Sequence, residues 1–115
     1  MYFEVSEEKF LNLAKEASEL GVETIVLDDG WFKGRLDDTS SLGDWVMDVK
    51  KFPKGLKYLS EQVEHFGLKL GIWLEPEMIS KKSDLYQQHP DWVIRSNRYE
   101  PIVSRAQYVL DLTNP

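Results

Sequence analysis

There is no cysteine in the 115 residues, which excludes disulfide frameworks, thiolate metal sites and cysteine nucleophiles and leaves the redox compartment unreadable. Histidine is scarce as well: two in the chain make a histidine-rich metal centre a poor expectation. Positive charge is in deficit, with 14 Lys and Arg against 20 Asp and Glu and a net charge of −6. Without a basic run, the chain is expected to bind neither nucleic acid nor an anionic membrane surface. No apolar run reaches the length of a membrane-spanning helix. Residues Met1 to Glu8 carry neither the basic region nor the apolar stretch of a signal peptide. Neither Asn12 nor Asn97 begins a complete glycosylation acceptor. A cytoplasmic location is the expectation. Both G-x-G-x-x-G and the P-loop are missing, so a nucleotide fold of either type would lack its phosphate cradle.

What is present suits one globular unit with a single modest core: 42% of residues are hydrophobic and 30% charged, too apolar for a disordered chain. Tyr2, Phe3 and Val5 suit the tail of a strand. Ser6 is placed to cap a helix whose first turn carries Glu7 and Glu8, where the helix dipole favours acids. Phe10, Leu13, Ala14, Ala17 and Leu20 fall on one helical face, and Gly21 stands where a helix closes. Val22 to Leu27 is a short β-rich run that stops at Asp28-Asp29-Gly30-Trp31. A polar connection from Lys33 to Asp48 comes next; long connections at strand ends are often functional. Pro53 fits the start of a second helix with Leu56, Leu59, Val63 and Phe66 on its apolar stripe and Gly67 at its end. The second strand, Leu68 to Leu74, stops at Glu75-Pro76-Glu77.

These two rounds of helix, glycine, strand and acidic tip repeat with a shift of 46 residues, which sets Asp29 on Glu75. Such alternation predicts a parallel sheet with crossover helices. By strand parity, Leu68, Leu70, Ile72 and Leu74 should meet helices, while Gly71, Trp73, Glu75 and Glu77 point to the opposite face. Asp28 and Asp29 would point to opposite sides of a regular strand, so a bend at Gly30 or a bulge is needed to bring both to one site. Beyond Asp84 the pattern is less regular. Trp92-Val93-Ile94 is expected to pair with Ile102-Val103 as a hairpin, and Gln107 to Leu112 forms another β-like run. Thr113-Asn114-Pro115 reads as the cap and first turn of a helix, so the chain is expected to be cut from a longer one.

In parallel α/β sheets and barrels, function gathers at the C-terminal ends of strands. Both strands here end in carboxylates beside a tryptophan. Ionised carboxylates accept hydrogen bonds from hydroxyls, and an indole face suits the apolar side of a sugar ring, so this tip suggests carbohydrate. The plainer alternative is that Asp-Gly is turn chemistry and the tryptophans are core. Asp37 to Asp44 has oxygen ligands without EF-hand spacing, and calcium is not expected. Ser40 and Ser41 have no histidine near them in sequence. Lys50-Lys51 and Lys81-Lys82 read as solvated loop charge. Arg105 is either an ion-pair partner or a clamp for an anion or a hydroxyl.

Leu27-Asp28-Asp29-Gly30-Trp31-Phe32 closely resembles the raffinose-type α-galactosidases, glycoside hydrolase family 36. The resemblance continues through Asp37-Asp38-Thr39-Ser40-Ser41-Leu42-Gly43-Asp44-Trp45, Phe52-Pro53-Lys54-Gly55-Leu56, Gly71-Ile72-Trp73-Leu74-Glu75-Pro76-Glu77-Met78 and His89-Pro90-Asp91-Trp92-Val93. Arg105 with Gln107-Tyr108-Val109-Leu110-Asp111-Leu112 completes it. It implies a (β/α)8 TIM barrel that hydrolyses terminal α-galactosides with retention, using no metal or other cofactor. Residue by residue, it implies that Asp28 and Asp29 accept hydrogen bonds from galactose hydroxyls. Trp45 becomes a wall of the sugar pocket and Arg105 a further sugar hydrogen-bonder, with Glu75 and Glu77 in supporting positions. Ser104 departs from the family, where glycine often precedes that arginine.

The family's nucleophile sits in a Lys-Trp-Asp motif on the fourth strand and its acid/base aspartate lies further on; neither motif occurs here. A complete barrel needs about 250 residues. Residues 1–115 are therefore expected to be part of a (β/α)8 catalytic domain, its first two to three βα units with an irregular C-terminal excursion, truncated before the fourth strand. That piece carries substrate-binding residues and no catalytic residue. The competing reading is an autonomous βα module that self-associates through exposed strand edges and catalyses nothing. Neighbouring strands lie about 4.8 Å apart, so Asp29 and Glu75 at their tips resemble the carboxyl pair, about 5–5.5 Å apart, of a retaining glycosidase. That pair is rejected: an open rim does not raise the pKa of an acid, and the resemblance assigns Asp29 to sugar binding.

Overall fold

A computed structural model describes residues 2–96, 103 and 106–114. Among these the regular elements are α1 (Glu7–Glu19), β1 (Thr24–Leu27), α2 (Gly55–His65), β2 (Lys69–Ile72), β3 (Met78–Ser80), α3 (Asp84–Gln88) and β4 (Gln107–Val109). Single 3-10 turns occupy Tyr2–Glu4 and Pro90–Trp92. The chain divides into two compact units, Met1–Lys33 with Val46–Leu74 and Gly34–Trp45 with Glu75–Pro115.

In the first unit, α1 starts as its sequence dictates. The Ser6 hydroxyl accepts the Lys9 amide at 3.4 Å, satisfying one of the donors that a helix leaves open at its first turn. Gly21 comes after the capping residue Leu20 with φ +78° and open space around it, so the left-handed conformation is its contribution. The start of α2 is solved differently. Lys54 caps it without a side-chain bond, and its amide donates instead to a Glu7 carboxylate oxygen at 3.2 Å. The helix therefore begins two residues beyond the expected Pro53.

β1 and β2 pair in parallel, as the alternation predicts, with α2 as the crossover between them. Ile25 and Leu27 lie in register with Leu70 and Ile72 on one face. Phe10 and Ala14 of α1, Leu59 and Val63 of α2, and Ile25 and Leu27 are all buried. Burying one such aliphatic or aromatic side chain is worth about 1.5–3 kcal/mol, so this layer supplies most of the unit's cohesion. The stripe on α1 is narrower than its periodicity suggests, since Leu13 and Leu20 are exposed. Val26 stands on the opposite face with Gly71: a Cβ on Gly71 would come within 3.1 Å of Val26 Cγ2. Tyr2, Phe3 and Val5 form no strand. Residues Tyr2–Glu4 make a 3-10 turn instead, because among the described residues they meet no ladder partner and an extended segment needs one.

The second unit holds a short antiparallel pair, β3 with β4, in which Ile79 faces Tyr108. Ile79, Val93 and Tyr108 form its buried cluster, with Leu85, Tyr86 and Leu110 packed against it. β3 carries no periodic signal because it is three residues long. The expected hairpin from Trp92 to Val103 is not formed by its first arm. Val93 bridges Leu110, the Ile94 amide donates to the Val109 carbonyl at 2.9 Å, and the Asp111 amide donates to the Trp92 carbonyl at 2.7 Å. Ile102 lies outside the described residues. Among the described residues no helix is long and apolar enough to cross a membrane.

Candidate functional site

The tip of β1 is built by a strand that stops early. Regular pairing ends at Leu27, whose carbonyl still accepts the Trp73 amide at 2.9 Å. Asp28 then turns its carboxylate back on the chain: Oδ1 accepts the Asp29 amide at 2.8 Å. Gly30 completes the bend with φ +97°, and a Cβ there would meet the Tyr2 carbonyl oxygen at 2.6 Å. Only glycine satisfies both the dihedral and the close approach. The bend that parity requires at Gly30 is therefore present. Asp28 is exposed, Asp29 half-buried and Gly30 buried.

The register decides what faces this tip. Thr24 pairs with Lys69 and Leu27 with Ile72, an offset of 45 residues rather than the 46 of the sequence repeat. Carried one and two residues further, it sets Asp28 opposite Trp73 and Asp29 opposite Leu74, so the sequence alignment of Asp29 with Glu75 is corrected. The glycine repeat aligns helix ends, and the strands slip one residue against it when they pair. Trp73 is half-buried and its carbonyl accepts the Trp31 indole N–H at 3.0 Å, which ties the end of β2 to the turn after β1. The connection from Lys33 is closed at its base in the first unit, where Phe32 bridges Met47 and the Lys33 amide donates to the Val46 carbonyl at 2.7 Å.

Lys51 departs from the expectation set by its sequence. Rather than a solvated loop charge, it is half-buried, and its ammonium donates to the Gly30 carbonyl at 2.7 Å and to the Phe3 carbonyl at 2.8 Å. Burial pushes its pKa below the usual lysine value, while the carboxylates of Asp48 and Asp29 act in the other direction. A single loop lysine carries no periodic signal, and nothing in its sequence neighbourhood separates it from Lys50. Beside the tip, Tyr2, Val5, Phe10, Leu13, Val26 and Leu27 line an apolar recess of about 210 Å³ that Asp28 and Asp29 border.

The other candidate residues are placed separately. Trp45 belongs to the second unit and is half-buried. Arg105 lies outside the described residues. In the second unit the carboxylates hold the chain itself. Asp44 accepts the Asp84 and Leu85 amides at 2.7 and 2.9 Å at the start of α3. Asp37 accepts the Thr39 amide at 2.8 Å and hydroxyl at 2.7 Å, and those bonds lower its pKa. Asp111 is engaged in the same way by Thr113. Among the described residues no three His, Asp or Glu side chains gather as a metal site would need.

Chemically, the β1 tip offers carboxylate acceptors, which suit a ligand that donates hydroxyl hydrogens. Comparison with known proteins gives the family. A family model described as Melibiase matches residues 1–115. Alpha-galactosidase 1 of Pediococcus pentosaceus is 54% identical over 111 residues, covering 96% of this chain and 15% of that protein. The crystal structure of the GH36 alpha-galactosidase AgaB from Geobacillus stearothermophilus superimposes with a TM-score of 0.91 at 49% identity, over 96% of this chain and 15% of that one. An AgaA variant from the same organism, solved in complex with raffinose, gives a TM-score of 0.91 at 49% identity over 96% of this chain and 16% of that one. The chain thus spans about 15% of the length of the relatives it matches.

Proposed function

This chain belongs to the melibiase family, glycoside hydrolase family 36, and from that premise we propose that it is part of a retaining α-galactosidase acting on terminal α-galactosides of the melibiose and raffinose type. Residues 1–115 are read as part of its (β/α)8 catalytic barrel. The order β1–α2–β2 with parallel pairing supports this, since it is the repeating unit of such a barrel. The observation that carries the reading is the β1 tip: two aspartates at the C-terminal end of a parallel strand, with Trp73 opposite Asp28 in the continued register. Asp28 and Asp29 accept hydrogen bonds from galactose hydroxyls. Trp45 and Arg105 complete the sugar site on the strength of the family resemblance. The chain has no Lys-Trp-Asp motif, so none of its residues is assigned as nucleophile or acid/base.

The test uses the whole enzyme that contains this chain. Asp29→Asn should lower kcat/KM for p-nitrophenyl α-galactoside about a hundredfold and weaken galactose inhibition, the size expected for losing a charged hydrogen bond in a site. Unchanged kinetics would remove the assignment. Rescue of Asp29→Asn by azide with an inverted product would make Asp29 the nucleophile instead. The 115-residue chain by itself should release no nitrophenol above background. Among the described residues β1 and β2 form a two-stranded sheet, so each has one unpaired edge in it. Self-association of the isolated chain through those edges is expected by light scattering. A sharp-melting monomer at micromolar concentration would overturn that part.

A further inference from the structure

We propose that Lys51 is a positioning residue for the sugar-binding tip, holding Asp28 and Asp29 in place through the Gly30 carbonyl to which its ammonium donates. The inference rests on the reading of Asp28 and Asp29 as galactoside ligands and adds to it the group that fixes them.

Two separated stretches of backbone meet at Lys51 Nζ. The Gly30 carbonyl lies 2.7 Å away and the Phe3 carbonyl 2.8 Å away. The two carbonyls belong to segments already in contact, since a Cβ on Gly30 would stand 3.1 Å from Phe3 Cα. Within the tip, Asp28 Oδ1 accepts the Asp29 amide at 2.8 Å. Strand pairing ends at Leu27, and Gly30 adopts φ +97° in a residue type that pays the largest conformational cost on being fixed. The next residue is anchored, because Trp31 is buried and its indole N–H is held by the Trp73 carbonyl at 3.0 Å. Fixing the Gly30 carbonyl restrains the Gly30–Trp31 peptide plane, one link between the strand and that anchor, and so limits the directions in which the Asp29 carboxylate can leave the backbone. A neutral side chain could not do this as well: hydrogen bonds from an ammonium are the stronger kind, and a half-buried site screens them less than water does. Burial disfavours the charged lysine, and the neighbouring Asp48 and Asp29 carboxylates counter that effect only in part.

The experiment compares Lys51→Met, Asp29→Asn and the double variant in the whole enzyme, using p-nitrophenyl α-galactoside as substrate and galactose as inhibitor. Lys51→Met should raise KM and the galactose inhibition constant about tenfold while kcat changes less than about threefold, the loss expected from one charged hydrogen bond acting on binding. In the Asp29→Asn background the same substitution should add little, because residues acting through one another are not additive. A purely structural lysine would instead lower the melting temperature and the yield of active enzyme, with KM unchanged and effects that add; either result overturns the proposal. If Lys51→Met does not accumulate as folded protein, Lys51→Arg replaces it. The guanidinium keeps the charge but is longer and holds its N–H groups in one plane, so it does not reproduce the ammonium's placement; a rise of about threefold in the inhibition constant is expected, and no rise overturns the proposal. Unchanged galactose inhibition in Asp29→Asn would remove the underlying reading and this inference together. A weakened Asp29→Asn beside an unaffected Lys51→Met would remove this inference alone.

Discussion

In the unit of residues 1–33 and 46–74, helices lay apolar side chains on one face of a parallel strand pair, and the aspartates at the end of β1 stand at the strand tip, exposed or half-buried. In the unit of residues 34–45 and 75–115 the buried cluster is smaller, and aspartates take over part of the folding. Asp44 holds the start of α3, while Asp37 and Asp111 each close a turn onto a threonine. The same side chain is thus a structural acceptor where backbone amides surround it, and at the end of β1 it is the acceptor we propose for a sugar hydroxyl. What separates the two uses is the supply of local donors. Asp28 and Asp48 show the first unit doing both, since each also accepts one nearby amide.

The contrast can be broken most sharply at the apolar layer. Leu59 is fully buried, so Leu59→Ala should cost about 2–5 kcal/mol through lost burial and the cavity left behind. Hydrogen exchange of the β1 and β2 amides measures it, and unaltered protection there would show that this layer is not what holds the strands together. A smaller effect is expected in the second unit from Asp44→Ala. It strips the acceptor from two amides at the start of α3, at about 1–2 kcal/mol, read as faster exchange at Asp84 and Leu85. Asp28→Asn, which keeps its one local acceptor oxygen, should leave exchange at the Asp29 amide nearly unchanged in the same assay; equal losses of protection from both substitutions would erase the distinction.

The smallest expected effect lies in pH. Asp37 and Asp111 ionise below the ordinary carboxylate value of 3.8, chiefly because the side-chain hydrogen bond from the nearby threonine favours the charged form. A folded pKa below the unfolded one means that the contribution is complete above the unfolded value and is lost as pH falls through the folded value. Asp37 is exposed and Asp111 half-buried at a surface turn, so the titration itself is the readout. Thr39→Val and Thr113→Val should each return the partner carboxyl toward its ordinary value in a carbon-detected NMR titration. No movement would mean that these turns do not hold their threonines in solution.

Much of this architecture is legible in the amino-acid sequence. Helix periodicity, the Ser6 cap and Gly21 are local signals, and local signals place α1, α2 and the strand that follows each. The resemblance carried by Asp28-Asp29-Gly30-Trp31 and its companion segments identified the family. Other features had no local signal to read. The one-residue offset between repeat and register, which sets Trp73 and not Glu75 beside the tip, depends on how two strands hydrogen-bond across 45 residues. The pairing of β3 with β4 joins segments too short to show a period. Lys51 looks like Lys50 in sequence and differs only because its ammonium reaches two carbonyls distant along the chain. Periodicity reports which face of an element is apolar, so pattern marked α1, α2, β1, β2 and the acidic tip, and the motif resemblance marked the family. Which residue meets that face, and which charge is withdrawn from water, is settled by contacts between distant segments, and only the tertiary structure decided those.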